Sequence, residues 1–172
     1  GRRMAVQFRD ALAEYSPKAF GNAWLAQTAP LLGIRETRRI VGDYVLTRED
    51  YLARASFDDE ICRNNYYLDV HVAPGNPKKS VQSCRYGKGE SHGIPYRCLL
   101  PKTLRNVLVA GRCISTERDV QGSTRVMPVC LAMGEAAGTA AALAASRSGD
   151  VRADVDTALL RQTLRENGAY LP

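Results

Sequence analysis

The sequence predicts an α/β fold, of α+β type if the chain stands alone, on three observations. Val107, Leu108, Val109 and Ala110 form an apolar run closed by Gly111, and a long stretch of small residues with helical periodicity follows it. Short β-branched and aromatic segments recur upstream. Amphipathic helix patterns flank both ends. With 172 residues the chain has length enough for a core without a metal or disulfide staple.

Met4, Phe8, Ala11, Leu12 and Tyr15 recur at intervals of three and four, so they share the packing face of a helix ending before Ser16 and Pro17. A second helix is expected from Phe20 to Gln27, closed by Pro30. Residues 33–46 read as a strand with Gly42 as a bend or bulge. Thr47 and Asp50 make a capping-box-like start for a short helix through Tyr51, Leu52 and Ala55. Residues 66–72 read as another strand. From Pro74 to Gly93 the composition turns to Gly, Pro, Lys and Ser, which predicts a long loop acting as a lid or a boundary. A strand at 94–100 ends at Pro101. Residues 107–110 are apolar on both faces and therefore read as a buried central strand. Val126, Val129, Cys130, Met133, Ala137, Ala140 and Ala144 then define a helix over 126–146, expected to be buried around most of its circumference. A peripheral helix at 154–167 pairs Leu160 with Leu164 and stops at Gly168.

Twenty-four Lys and Arg against 18 Asp and Glu give a formal charge of +6, but the basic residues are spread along the chain without interleaved aromatics. That pattern argues against a nucleic-acid partner. No secretory signal or membrane span is expected. Five widely spaced cysteines without a Cys-x-x-Cys suggest reduced thiols and a cytoplasmic setting. With two histidines, no metal site is expected.

The helix start near Met127 carries the chemistry. Its first backbone N–H groups lack intrahelical partners and its dipole leaves partial positive charge there. Pro128 is tolerated in a first turn, and Ser123 or Thr124 is the expected cap. Gly134 and Gly138 imply either close helix-to-strand packing or a close approach that sets the helix start beside a cofactor. Gly111 lets backbone approach a ligand at the carboxyl edge of a sheet. Arg125 adds positive charge, and Arg112 reads either as a ligand contact or as a surface ion pair. Such an electropositive edge suits a flavin, whose reduction places negative charge on the N1 and C2 carbonyl side.

Residues 33–46, Leu68 to His71, residues 94–101, the Val109 to Ile114 run and the helix from Arg125 to Ala141 resemble, in order, the C-terminal portion of the FAD-dependent oxidoreductase family, related to the glutathione reductase and fumarate reductase flavoproteins. The resemblance implies FAD as cofactor and a small-molecule substrate. It implies that Gly111, Arg112, Ser123, Arg125, Val126 and Met127 flank the flavin and its ribityl chain. Arg35, Arg38 and His71 would face the substrate, with His71 as the candidate base, although each also reads as an ordinary solvated or hydrogen-bonded residue. Residues 1–93 would form a partial substrate or cap region, 94–150 the C-terminal part of the FAD-binding domain, and 151–172 a peripheral helix. No Gly-x-Gly-x-x-Gly follows a strand, so the N-terminal dinucleotide-binding half is the expected partner. The chain alone is expected to be colourless and inactive. An alternative is a non-enzymatic interaction module using the small-residue helix as a homo-oligomer interface.

Overall fold

The computed structural model describes residues 1–70 and 85–172. His71 and most of the expected loop between Pro74 and Gly93 lie outside the described residues. Contacts divide the chain into two units, Gly1–Ile34 and Arg35–Pro172.

The smaller unit holds helices α1 (Arg2–Tyr15) and α2 (Pro17–Phe20). The α1 boundary falls where the Ser16–Pro17 pair demands it. Its apolar face does not pack as expected: Met4, Phe8 and Leu12 are exposed, because a unit this short has too little interior to bury them. The second helix is also shorter and earlier than the pattern at 20–27 suggests, since Pro17 starts it as the first helical residue.

The larger unit contains α3 (Arg48–Ala53), β1 (Glu60–Asn64), β2 (His92–Pro95), a 3-10 helix (Tyr96–Leu99), α4 (Arg118–Thr124), α5 (Met127–Ala145) and α6 (Thr157–Glu166). Helices around one small antiparallel sheet make it a mixed α/β fold of the α+β kind. In that sheet Asn64 faces His92, Arg63 faces Gly93 and Cys62 faces Ile94. The core runs from Leu46 and Tyr51 through Ile61, Ile94 and Met133 to Leu160.

Local chemistry explains the helices that the sequence announces. At α3 the Thr47 hydroxyl accepts the Asp50 N–H while the Asp50 carboxylate accepts the Thr47 N–H, a complete capping box. At α6 the Asp156 carboxylate accepts N–H groups from Ala158 and Leu159, and Leu160 and Leu164 are buried beneath it. Helix α5 has the length and composition of a membrane span. Its Val129, Met133, Ala136, Ala140 and Ala144 face is buried, and the helix packs on β1 and α6.

Several strand expectations fail. Residues 33–46 form no strand; two isolated bridges, Gly42 with Pro101 and Leu46 with Thr116, tie the segment down instead. The described part of 66–72 is not strand either. The strand expected at 94–100 starts earlier, at His92, and turns into the 3-10 helix after Pro95. Residues 107–110 are half-exposed and outside any ladder, not central. The Val109 N–H reaches Leu99 O at 2.9 Å, and the segment makes no other backbone hydrogen bond to a described residue. Helix α5 is likewise not buried around its circumference: Met127 and Leu131 are exposed, and a Cβ at Gly134 or Gly138 would meet nothing within 4 Å. The close packing that would explain those glycines is therefore not made among the described residues.

Candidate functional site

The extended segment 107–110 delivers Gly111, at φ +86°, to the first turn of α5, where a Cβ on Gly111 would stand 3.9 Å from Cys130 Sγ. A side chain is disfavoured at that backbone angle, so the turn stays open. Val126 is the N-cap of α5 and no side chain caps it. Ser123 and Thr124 fail as caps because both are already inside α4. Cys130 N–H bonds to Val126 O at 3.0 Å, while the N–H groups of Met127 and Val129 have no partner among the described residues, and Pro128 has none to offer. Met127 is 80% exposed, so the electropositive end of α5 opens to solvent beside Gly111 and Arg112.

Helix α4, which the sequence reading missed, organises the ground behind that opening. Its residues Gln121 to Thr124 are buried. Gln121 donates from Nε2 to Arg35 O at 3.1 Å and to Arg112 O at 3.2 Å, which pins the segments around Arg35 and Arg112 to one side chain. Ser123 donates to Tyr66 O at 2.6 Å and accepts from Asn64 Nδ2 at 2.7 Å, so its hydroxyl serves the scaffold rather than the surface. Arg125, only 6% exposed, reaches Glu36 Oε2 at 3.1 Å, Asp69 Oδ2 at 3.3 Å and Asp69 O at 2.7 Å. Its guanidinium is thus committed to joining residues 36 and 69 to α4. Arg38 is exposed.

Gly122 makes this arrangement possible. A Cβ there would come within 2.7 Å of Asp69 O and 3.0 Å of Asp69 C, which are backbone atoms that cannot swing aside. Ala should gain about 1 kcal/mol of helix propensity, but overpacking costs about 1–3 kcal/mol or more. Gly122→Ala is therefore expected to destabilise the chain by up to about 2 kcal/mol, seen as a lower urea midpoint at unchanged m-value. A midpoint at or above the parent's would contradict the close approach.

The four described cysteines are free. Cys130, near Gly111, has its thiol pKa raised by burial, only partly opposed by Arg112. A thiolate is disfavoured there, which speaks against a nucleophilic role. A cleft of about 680 Å³ lies among Asp43, Phe57, Asp59, Tyr96, Arg97 and Arg152 and includes none of the expected site residues. Its arginines are paired with its own acids, Arg97 with Asp59 at 2.9 Å and Arg152 with Asp43.

A family model described as FAD dependent oxidoreductase matches residues 1–164. The chain belongs to that family. No curated protein and no solved structure matches it significantly. For an FAD dependent oxidoreductase, the open helix start beside Gly111 fits the edge of a flat ring: two unspent amides, positive dipole charge and a backbone turn without a side chain. Gly111, Arg112, Val126 and Met127 come together there. Arg35 is drawn towards Arg112 through Gln121, whereas Ser123 and Arg125 stand one layer behind. The sequence signals that locate the opening are Pro128 and the small-residue periodicity. Gln121, Glu36 and Asp69 carry no such signal, since their partners are far along the chain.

Proposed function

We propose that the chain is the C-terminal part of an FAD-dependent oxidoreductase, in the manner of the glutathione reductase and fumarate reductase flavoproteins, completed by an N-terminal dinucleotide-binding half. The observation that carries this reading is the unfinished layer formed by residues 107–110 and the exposed face of α5. The extended segment offers N–H and C=O groups unspent among the described residues, and Met127, Leu131, Gly134 and Gly138 line an exposed helix face on which no described residue packs against the two glycines. An added strand and sheet would satisfy both, because exposed strand edges and apolar faces are pairing surfaces.

In the completed protein, residues 94–150 contribute the flavin-edge part of the FAD-binding domain, 1–93 part of the substrate region, and 151–172 the peripheral helix. FAD, when bound, supplies the two-electron acceptor. The amides of Met127 and Val129, with Arg112 beside them, hold negative charge at the ring edge, an effect of about 0.3–2 kcal/mol. Gly111 and Val126 supply the backbone against which the cofactor lies. Arg35 and Arg38 orient a small-molecule substrate and His71 takes its proton. A cytoplasmic location accords with the thiols of the described cysteines.

Co-expression with the N-terminal dinucleotide-binding half of a member of this family, followed by a visible spectrum of the purified material, tests the reading. The chain alone is expected to be colourless, and the pair to copurify as a yellow one-to-one complex. A yellow complex of the chain alone, or two halves that never associate, overturns it. The exposed Gly134 and Gly138 also favour a second reading, a self-associating module. In that case gel filtration gives an oligomer that the other half does not dissociate.

A further inference from the structure

We propose that the exposed stripe of α1 is the seam of a dimer, in which the helix packs antiparallel on the same helix of a second copy of this chain. Met4, Phe8, Ala11 and Tyr15 follow one another at steps of four, three and four, the spacing of a coiled-coil seam. Within its own unit the helix packs by a different face. Ala5 lines a cleft with residues 27–33, while Met4, Phe8, Leu12 and Tyr15 are exposed, Phe8 by 64% and Tyr15 by 80%. Leu31 and Leu32 of the segment across that cleft are exposed too, so the apolar surface extends past the helix. A patch of this kind marks an interaction surface.

Charge and size commit the occupant. With 3.6 residues per turn, Arg3 and Glu14 lie on the same flank of the stripe, near opposite ends of the helix. Asp10 between them is paired with Arg9 at 2.6 Å, whereas Arg3 and Glu14 have no partner among the described residues. In an antiparallel pair like flanks face each other, so Arg3 of one copy meets Glu14 of the other, and two-fold symmetry makes that pair twice. The same register sets Met4 opposite Tyr15 and Phe8 opposite Ala11, so the largest rings lie against smaller or more pliable side chains. A parallel pair would turn this flank towards Ala5 and Leu12 of the second copy and leave both charges unmatched. An anionic surface would answer Arg3 but repel Glu14. The dimer involves only the Gly1–Ile34 unit and does not depend on the flavoprotein reading.

Sedimentation of the full chain over a concentration series tests the pairing, and a monomer–dimer equilibrium is expected. Phe8→Glu should weaken the dimer by about thirtyfold or more, as the loss of a central anchor does. Phe8 is no part of the buried core, so the fold should survive the change. Leu131→Glu, on the exposed part of α5, should leave the equilibrium where it was. Arg3→Glu should weaken the dimer about fivefold, and adding Glu14→Arg should restore it. A chain monomeric throughout the series overturns the pairing, including one whose α1 is covered only by the co-expressed N-terminal half or by anionic vesicles. So does a dimer indifferent to Phe8→Glu, a dimer lost with Leu131→Glu, or a double charge reversal that restores nothing.

Discussion

Gly93→Ala is expected to cost about 3–5 kcal/mol of stability, the penalty of disrupting a buried ion pair. Gly93 lies opposite Arg63 in the β1–β2 ladder, and the space a Cβ would take is already filled by Glu60 Oε2. The glutamate Cδ would lie 3.0 Å away and its Cβ 3.2 Å. A flexible carboxylate at the surface would simply move. This one is 1% exposed, and Oε2 accepts from Arg63 Nη1 at 2.9 Å and from Phe57 N at 3.3 Å. Displacing it parts Glu60 from Arg63, itself only 10% exposed, and leaves the buried glutamate only the long contact of Oε1 with Arg161 Nη2 at 3.9 Å. The gain of about 0.5–1 kcal/mol from replacing Gly in a strand is too small to compensate. Urea unfolding should show a lower midpoint with the same m-value. Glu60→Ala in the Gly93→Ala background removes the overlap, so the double variant should fall well short of the sum of the two single losses. A Gly93→Ala loss under about 1 kcal/mol, or additive losses, would show that Glu60 moves freely.

The same buried pair shows where sequence reading stops. Glu60 and Arg63 make β1 look like a charged surface segment, and only the pairing with β2 reveals why both are interior. Helix α4 is hidden for a similar reason. Gly122, Ser123 and Thr124 have loop and cap preferences, but burial under the chain at Asp69 and the bonds of Ser123 to Asn64 and Tyr66 override them. Helices α1, α3, α5 and α6 were legible because their signals are local: a Ser-Pro stop, a capping box, small-residue periodicity and a Leu160–Leu164 pair. The segment at 107–110 is a different case. Its sequence is that of a strand covered on both faces, yet its described backbone partner is Leu99 alone, so the pattern asks for neighbours that these residues do not supply.

For the candidate site, local pattern found the helix start and Gly111, since Pro128 and an apolar run ending in Gly announce themselves. It found Arg125 but not what Arg125 does. Glu36 and Asp69 lie 89 and 56 residues away in sequence, and no periodicity connects them. Gln121, which joins Arg35 to Arg112 through backbone carbonyls, is invisible for the same reason.

Stability is expected to fall by about 3 kcal/mol as the pH drops from neutral to 4, and His92 is the cause. The imidazole is completely buried beside Tyr51 and Tyr86, with Tyr86 Oη 2.7 Å from Nδ1 and 2.9 Å from Tyr51 O. One hydroxyl proton cannot serve both acceptors. Tyr86 therefore donates to Tyr51 O and accepts from Nδ1–H, which leaves Nε2 without a proton and without a partner. A second proton at Nε2 would place positive charge in an apolar enclosure near Arg63. Burial first, and Arg63 second, push the pKa down from 6.5 to about 4, with Asp50 opposing weakly. The unfolded chain takes up the proton near 6.5 and the folded chain near 4, so below neutrality the unfolded state binds more protons. The contribution of His92 is complete above pH 6.5, declines by up to about 1.4 kcal/mol per pH unit between 6.5 and 4, and is exhausted below 4. Urea titrations at half-unit intervals from pH 7.5 to 4 should trace that decline. His92→Gln removes the titrating group and should flatten the curve across this window, whatever its effect at neutral pH. A parent and a variant with parallel pH profiles would mean that His92 is protonated as readily inside the fold as outside it.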